Sequence, residues 1–205
     1  METEQPRRTG RPRAFDADAA LERALRVFWE QGYEGASLAT LTRAMGISTT
    51  SMYAAFGNKE ELFAKVLTRY TDRQSAYLRR ALDEPTALEV AAAVLTGTIS
   101  TTTADGDPRG CLGVQGALAT GEGSRGARDL LIAWRDDGYT LLHERFDRAV
   151  TEGDLPAGAD PGLLARLVTT VGYGLAVQAA SGVAREDLQA IADAVLRQWP
   201  LAGLL

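Results

Sequence analysis

Cysteine and histidine are almost absent from this chain of 205 residues, which has one of each. A single cysteine excludes a disulfide within the chain, and one cysteine with one histidine leaves no set of ligands for zinc. The sequence also has no nucleophile elbow, no phosphate-binding glycine loop and no paired His-Glu motif. We therefore expect no metal, no cofactor and no enzymatic activity.

Long apolar runs are lacking as well. No stretch of eighteen consecutive apolar residues occurs, and the charged amino terminus is not followed by the apolar segment of a secretory signal. We expect a soluble, cytoplasmic protein with no membrane partner. Hydrophobic residues nevertheless make up 45% of the sequence, which is enough to bury the cores of a small head and a larger body.

Positive charge is not in excess, since 22 Lys and Arg residues face 27 Asp and Glu residues. The imbalance lies after residue 65, because residues 1–65 contain nine basic and nine acidic residues. At the start, arginines cluster with proline and glycine, and this composition predicts a flexible basic arm over residues 1–14. Arg11 and Arg13 of the arm could contact DNA phosphates or a minor groove, and the alternative is a solubilising tail.

Two short helical patterns joined by a glycine turn occupy residues 37–62. Ser37 is a good N-cap for the first helix, and Gly46 supplies the left-handed residue that ends it. Ser48 or Thr49 can cap the second helix. This arrangement predicts a helix-turn-helix, which places its second helix in the major groove of DNA.

The second helix has one apolar face, formed by Met52 and Phe56, and one small polar face. The polar face offers hydroxyl and methyl groups and no long charged side chain: Thr49, Thr50, Ser51, Tyr53 and Ala54. Such a face can approach a base edge closely. The pattern therefore favours entry into a groove.

From about Phe15 to Leu67 the sequence resembles the DNA-binding domain of the tetracycline-repressor (TetR) family of bacterial transcription regulators. The following residues carry the resemblance: Phe28, Gly32-Tyr33, Ser37-Leu38, Gly46-Ile47-Ser48, Tyr53, Phe56 and Lys59-Glu60-Glu61-Leu62. The resemblance implies that Tyr53 and Lys59 hold phosphates and that the first residues of the second helix face bases. The complete set that we predict to bind DNA is Ser37, Ser48, Thr49, Thr50, Ser51, Tyr53, Lys59, Arg11 and Arg13.

The periodicity predicts an all-α fold of about nine helices, with a three-helix head over residues 15–62 and a ligand-binding and dimerisation body over residues 63–205. A long fourth helix, which starts at Lys59 and runs for about 23 residues, links the two. We predict the first helix from Asp16 or Asp18 to Gly32. The later helices are predicted to begin at Thr86, at Cys111 (to Ala119), after Gly123 (to near Gly153), at Asp160-Pro161 (to Gly182) and at Arg185 (to Trp199).

A homodimer is expected, because two linked heads read two half-sites of a palindromic operator about 34 to 36 Å apart. We predict that it forms through the last two helices, at about residues 160–199. Small residues there would let helices approach closely: Gly172, Gly174, Ala176, Ala179 and Ala180. The alternative is that these residues only allow packing within their own subunit.

The resemblance also implies a small-molecule effector that binds in the body and alters the spacing of the heads through the fourth helix. Candidate ligand-binding residues combine aromatic rings with hydrogen-bonding groups: Tyr77, Gln115, Trp134, Tyr139, His143, Tyr173 and Gln178. Each could equally be an ordinary core or surface residue.

Cys111 has two interpretations. A cysteine at the start of a helix can have a lowered thiol pKa, which would suit a sensor of electrophiles or oxidants. A lone cysteine can also be a small buried hydrophobe without chemistry, and we favour this interpretation.

The leading hypothesis is a homodimeric, ligand-responsive repressor of transcription. The alternative is a sensor or carrier without enzymatic activity whose head does not engage DNA, and the balanced charge of residues 1–65 favours it.

Overall fold

The structure is a computed structural model that describes residues 15–116, 121 and 124–199. The predicted arm, with Arg11 and Arg13, lies outside these residues. Over the described ranges the chain forms nine α-helices and no strand, which confirms the all-α prediction. They are α1 (Ala17–Gly35), α2 (Leu38–Met45), α3 (Thr49–Phe56), α4 (Lys59–Leu82), α5 (Ala87–Thr102), α6 (Leu112–Gln115), α7 (Arg125–Thr151), α8 (Pro161–Ala180) and α9 (Arg185–Leu196).

Side-chain caps fix the starts of the head helices. Asp16, Ser37 and Ser48 each accept a hydrogen bond from a backbone N–H three residues ahead, at the starts of α1, α2 and α3. Gly46 ends α2 in the left-handed region, with φ 71°. At the start of α4, Asn58 forms a reciprocal capping box with Glu61.

Three predicted helix ends were wrong. The first helix does not stop at Gly32 but kinks there, where Gly32 has φ 67°, and continues to Gly35. At the kink the Tyr33 N–H leaves the helical pattern and donates to the Gly116 carbonyl at 2.8 Å, so a contact distant in sequence stabilises the kink. The predicted helix 111–119 covers only residues 112–115, with 117–119 outside the described residues, and α9 ends at Leu196 rather than Trp199.

Two apolar clusters form the core. The first joins α1 to α4 with parts of α6 and α7, and at its centre the Phe63 ring meets the Phe28 and Tyr33 rings edge to face at 5.0 and 5.1 Å. The second lies among α5, α7, α8 and α9 and contains Phe146, which is fully buried. Because body residues such as Leu131 belong to the first cluster, the core of the head includes part of the body.

Arg145 joins α7 to the far end of α4. Its buried guanidinium donates to the carbonyls of Leu82, Glu84 and Pro85 at 3.1, 2.8 and 3.0 Å. Leu82 is the last residue of α4, where backbone oxygens lack helical partners and favour positive charge, and Glu84 and Pro85 lie in the connection to α5. The last turn of α4 is therefore held on α7.

By length and composition alone, α8 is the one helix among the described residues that could cross a membrane. Its buried residues, which include Leu164, Val168 and Leu175, pack in the second cluster. Core helices of folded proteins share this composition.

Candidate DNA-binding surface and body cavity

The α3 helix buries one face and exposes the other. Met52 is fully buried and Phe56 is 5% exposed, whereas Tyr53 is 47% exposed. Thr49 and Thr50, in the first turn, are also exposed. Sequence periodicity had assigned these residues to the same faces.

The two capping serines each hold a local hydrogen-bond pair. The Ser37 Oγ accepts from the Thr40 N–H at 3.0 Å and lies 2.9 Å from the Thr40 Oγ1. The Ser48 Oγ accepts from the Ser51 N–H at 3.1 Å and lies 2.9 Å from the Ser51 Oγ. Both serines were predicted to bind DNA, and here their hydroxyls position the first turns of α2 and α3.

Lys59, the first residue of α4, lies beside the head core. Its Nζ lies over the Tyr33 ring, 4.3 Å from the centroid, an arrangement in which the ring face attracts the cation. Partial burial lowers the pKa of the Lys59 ammonium, and the nearby Glu34 carboxylate opposes this shift. The aromatic contact thus holds a cation at the start of α4, three residues after the last residue of α3.

Sequence reasoning did not single out Arg43, which is exposed in the last turn of α2. In a helix-turn-helix the first helix crosses the DNA backbone, where a guanidinium suits a phosphate. The sequence placed Arg43 in the first helix of the predicted helix-turn-helix, and this position was the one indication of a role in DNA binding.

A junction between head and body is built on the end of α1 and on residues 110–116, 121 and 124. The Trp29 Nε1 donates to the Gly110 carbonyl at 3.2 Å, and the Tyr33 N–H donates to Gly116. The Glu34 carboxylate accepts from the Ser124 hydroxyl and from a backbone N–H at residue 121. These hydrogen bonds lower the pKa of Glu34, that of Ser124 having the larger effect.

Ion pairs on the surface connect the same parts of the chain. Arg73 of α4 lies 2.7 Å from Glu22 of α1 and 2.8 Å from Asp107 in the loop after α5. Arg69, one turn earlier, pairs with Glu22 at 3.1 Å and with Asp18 at 2.9 Å. Such exposed pairs contribute little stability each, on the order of 0–1 kcal/mol.

The body encloses a cavity of about 160 Å³ among α4, α5, α6, α7 and α8. Its wall combines apolar side chains with hydroxyls, one thiol and one carboxylate: Tyr70, Thr71, Tyr77, Leu78, Val94, Thr98, Thr101, Thr102, Cys111, Val114, Trp134, Asp137, Gly138, Leu141, Leu142, Val168, Thr169, Gly172, Tyr173 and Ala176. The wall contains no Lys or Arg. An apolar pocket with a few polar groups is the usual form of a small-molecule site.

Several aromatic groups of the wall are held by hydrogen bonds. The Trp134 Nε1 donates to the Thr71 Oγ1 at 2.9 Å, and the Tyr173 hydroxyl donates to the Arg135 carbonyl at 3.4 Å. Burial raises the pKa of Tyr173 to about 12, so this phenol stays neutral and available for hydrogen bonding. The polar groups of the wall are thus oriented by their own neighbours.

Three of the seven residues that we predicted to bind ligand line this cavity, namely Tyr77, Trp134 and Tyr173. The other four lie elsewhere: Gln115, Tyr139, His143 and Gln178. Tyr139 and His143 stack on each other at 5.8 Å, and Arg166 lies over the Tyr139 ring at 3.7 Å, so these side chains are engaged outside the wall. Gln178 is exposed on α8.

Cys111 lies in the wall as a buried thiol. Burial is the largest influence and raises its pKa, although the Tyr70 hydroxyl, which donates to the Sγ at 3.0 Å, opposes the shift. The lowered pKa that a helix start suggests is therefore wrong for this cysteine. The raised pKa favours the thiol over the nucleophilic thiolate.

The comparisons with known proteins agree with the geometry. The model of the family described as bacterial regulatory proteins, tetR family, matches residues 20–66. The chain is 33% identical over 193 residues to the HTH-type transcriptional repressor ComR of Escherichia coli (strain K12), covering 93% of this chain and 92% of ComR. It is 29% identical to the repressor BdcR of the same organism over 189 residues, with 92% and 91% of the two chains covered.

A solved structure is similar over the whole described fold. A cysteine mutant of the TetR family transcriptional regulator CifR, complexed with 26-base-pair double-strand operator DNA, has 48% sequence identity and a TM-score of 0.89. The match covers 93% of this chain and 100% of that one. The chain belongs to the TetR family of DNA-binding transcriptional regulators, as the residues from Phe15 to Leu67 predicted.

Proposed function

We propose that the protein is a cytoplasmic, homodimeric repressor that binds a palindromic operator and releases it when a small molecule enters the body cavity. The exposed face of α3 carries this proposal, because a helix-turn-helix with short side chains outward fits a major groove. The name of ComR as a repressor and the operator complex of CifR support the same function.

Contacts to phosphate would come from residues around α3. Tyr53 is exposed beside the predicted base-facing residues, and Lys59 is positioned by the Tyr33 ring. Arg43 adds a second cation at the end of α2. Local cations of this kind supply the electrostatic part of DNA binding even in a chain of net charge −5.

The dimer would form on α8 and α9. Their outer faces expose Leu163, Val177 and Ile191 at 43%, 44% and 45%, and apolar side chains on neighbouring helices favour burial against a partner. The predicted small residues divide into two groups, Gly174 and Ala180 being exposed and Gly172, Ala176 and Ala179 buried within their own subunit. The exposed pair supports close helix approach between subunits.

The effector would be a small, mostly apolar molecule. The cavity is smaller than the roughly 300 to 1,000 Å³ of drug-sized sites, and its polar wall groups are mostly hydroxyls. Cys111, which precedes α6, and Val114, within α6, both line the cavity. Gly110 and Gly116 of the same segment accept hydrogen bonds from α1. A ligand that displaces this segment would alter how the head is held, which couples the two sites.

Loss of the phosphate contacts tests the function directly. We expect Tyr53→Ala with Lys59→Ala to weaken binding to a duplex recovered by selection from a random DNA pool. A dimer of this variant lacks two lysines, and each lost phosphate contact lowers the number of counterions released on binding by about 0.9. The slope of log affinity against log salt concentration should therefore become shallower by about 2. Fluorescence anisotropy across a salt series measures both quantities.

The control is Lys65→Ala, which removes the same charge from an exposed site farther along α4 and should have a smaller effect. Light scattering on the same samples gives the number of chains bound. Unchanged affinity in the double variant would reject the assignment of the DNA-binding surface. Failure of the wild-type protein to retain any duplex would favour the sensor or carrier hypothesis.

A further inference from the structure

The segment that forms α3 and its cap lacks every charged side chain and every amide side chain. From the cap Ser48 to the last residue Phe56, the segment contains no Arg, Lys, Asn, Gln, Asp or Glu. The side chains that select guanine by paired hydrogen bonds are Arg and Lys, and those that select adenine are Asn and Gln. Neither kind of contact is available from this helix.

Hydrogen bonds within the helix also reduce the number of hydroxyl groups that are available to bases. The hydroxyls of Ser48 and Ser51 are paired with each other, and the Ser48 Oγ also accepts the Ser51 N–H. Among the residues that the structure describes, the hydroxyls of Thr49 and Thr50 have no hydrogen-bond partner. These two hydroxyls can serve as donor or acceptor to any base and select weakly.

The methyl groups of the helix point the same way. Thr50 and Ala54 lie one turn apart on the side opposite Met52 and Phe56, and both are exposed. The Thr50 Cγ2 and the Ala54 Cβ therefore form a small apolar strip on the most outward part of α3. In the major groove the matching apolar group is the 5-methyl of thymine.

We propose that α3 reads A·T pairs in each half-site by packing the methyl groups of Thr50 and Ala54 against thymine 5-methyl groups. This inference rests on the proposed DNA-binding function and adds the base type that the helix selects. It assigns guanine selection, where the operator requires it, to residues outside α3.

Replacement of thymine by deoxyuridine tests the inference, because this change removes the 5-methyl group and leaves the hydrogen-bonding edge intact. The probe is the tightest duplex recovered by selection from a random 30-base-pair pool, with its thymines replaced one at a time. We expect one or two positions in each half-site at which affinity falls about fourfold, the loss that corresponds to one buried methyl.

The variant Thr50→Ser supplies the protein side of the test, since it removes one methyl and keeps the hydroxyl. On the thymine duplex it should weaken binding about fourfold for each half-site, whereas on a duplex with deoxyuridine at the sensitive position of both half-sites it should have no further effect. Thr68→Ser, an exposed threonine on α4, is the matched control and should bind both duplexes like the wild type.

Other outcomes overturn the inference and separate it from the proposed function. The thymine assignment is wrong, and DNA binding stands, if a duplex is bound tightly but no deoxyuridine replacement lowers its affinity. The same conclusion follows if the selected half-site contains no thymine. If Thr50→Ser weakens both duplexes equally, the methyl contact is not with thymine. If selection recovers no duplex, the proposed function fails and the inference fails with it.

Discussion

The head and the body carry their sites in opposite ways. The head presents its candidate DNA-binding residues on an outer surface, and those that the structure describes come from one run between Ser37 and Lys59. The body encloses its site, and the wall is assembled from five helices between Tyr70 and Ala176. A surface motif is local in sequence, whereas a cavity depends on how distant helices pack.

The junction shows that the two regions are nevertheless not separate. Trp29, Tyr33 and Glu34 near the end of α1 all form hydrogen bonds with the described residues of the connection before α7, at positions 110, 116, 121 and 124. That segment also supplies Cys111 to the cavity wall. Neighbouring residues of one segment therefore support the head and line the cavity of the body.

The largest effect should come from Phe63→Ala, which empties the centre of the first apolar cluster. Phe63 is fully buried between two other rings, and its loss should lower the free energy of unfolding by about 3 to 5 kcal/mol. Since the cluster contains residues of both regions, we expect one cooperative transition, shifted as a whole. Circular dichroism and tryptophan fluorescence in a denaturant series measure it.

Leu88→Ala is the control for that change, because Leu88 is 42% exposed and its truncation should alter stability little. Two separate transitions, of which Phe63→Ala shifts one, would contradict the coupling of head and body through the first cluster. The comparison would then become one between two independent units.

A smaller effect should come from Gly97→Ala on α5, which tests the cavity wall. A Cβ at residue 97 would lie 2.3 Å from the Tyr77 ring, so the ring must move, and we expect a loss of about 1 to 3 kcal/mol of stability. The matched change Gly138→Ala adds a Cβ that meets nothing within 4 Å. It should gain about 0.5 to 1 kcal/mol, as alanine is the better helix former.

Denaturant midpoints of the two glycine variants give the sign of each effect. Equal gains in both would mean that the Tyr77 ring is not packed against α5 in solution. Unchanged DNA binding in Gly138→Ala would show in addition that the gain is confined to the body.

The smallest effect should come from Glu34→Gln at the junction, and it should depend on pH. The pKa of Glu34 is lowered from its ordinary value of 4.5 by its hydrogen bonds. A carboxylate of this kind stabilises the fold above that pH, and the stabilisation is lost as the pH falls through the lowered folded value. The wild type should therefore lose more stability on acidification below about pH 4.5 than Glu34→Gln.

Thermal unfolding at a series of pH values measures the difference, with Glu30→Gln, an exposed site on the same helix, as the control. Parallel pH profiles for the wild type and Glu34→Gln would mean that the carboxylate does not hold the α7 end of the junction. The junction would then rest on the backbone and indole hydrogen bonds alone.

Local chemistry explains what the sequence predicted well. Capping side chains such as Ser37 and Ser48 act within three residues, and the faces of α3 follow from the helical period, so both could be read without a structure. The kink at Gly32 could not, because its cause is a hydrogen bond between Tyr33 and Gly116. Interactions across more than 80 residues leave no local pattern.

The residues that line the cavity could not be identified from the sequence for the same reason. Tyr77 and His143 looked alike in the sequence, since each is a ring on a long amphipathic helix. Tyr77 faces the space between α4 and α5, whereas His143 stacks on Tyr139 outside it. Which side of a long helix meets a void depends on the crossing angles of its neighbours, and these are a property of the assembled fold.

The hydrogen bonds of Arg145 fix the carboxyl end of α4, so a tilt of this helix moves its opposite end the farthest. Its 24 residues span about 36 Å at 1.5 Å per residue, and the DNA-facing head sits at the opposite end. A tilt of only about 5 degrees around the Arg145 end would move the head end by about 3 Å over that length. In the proposed repressor, a slight tilt of α4 inside each subunit would therefore change the spacing of the two heads and weaken their fit to the operator.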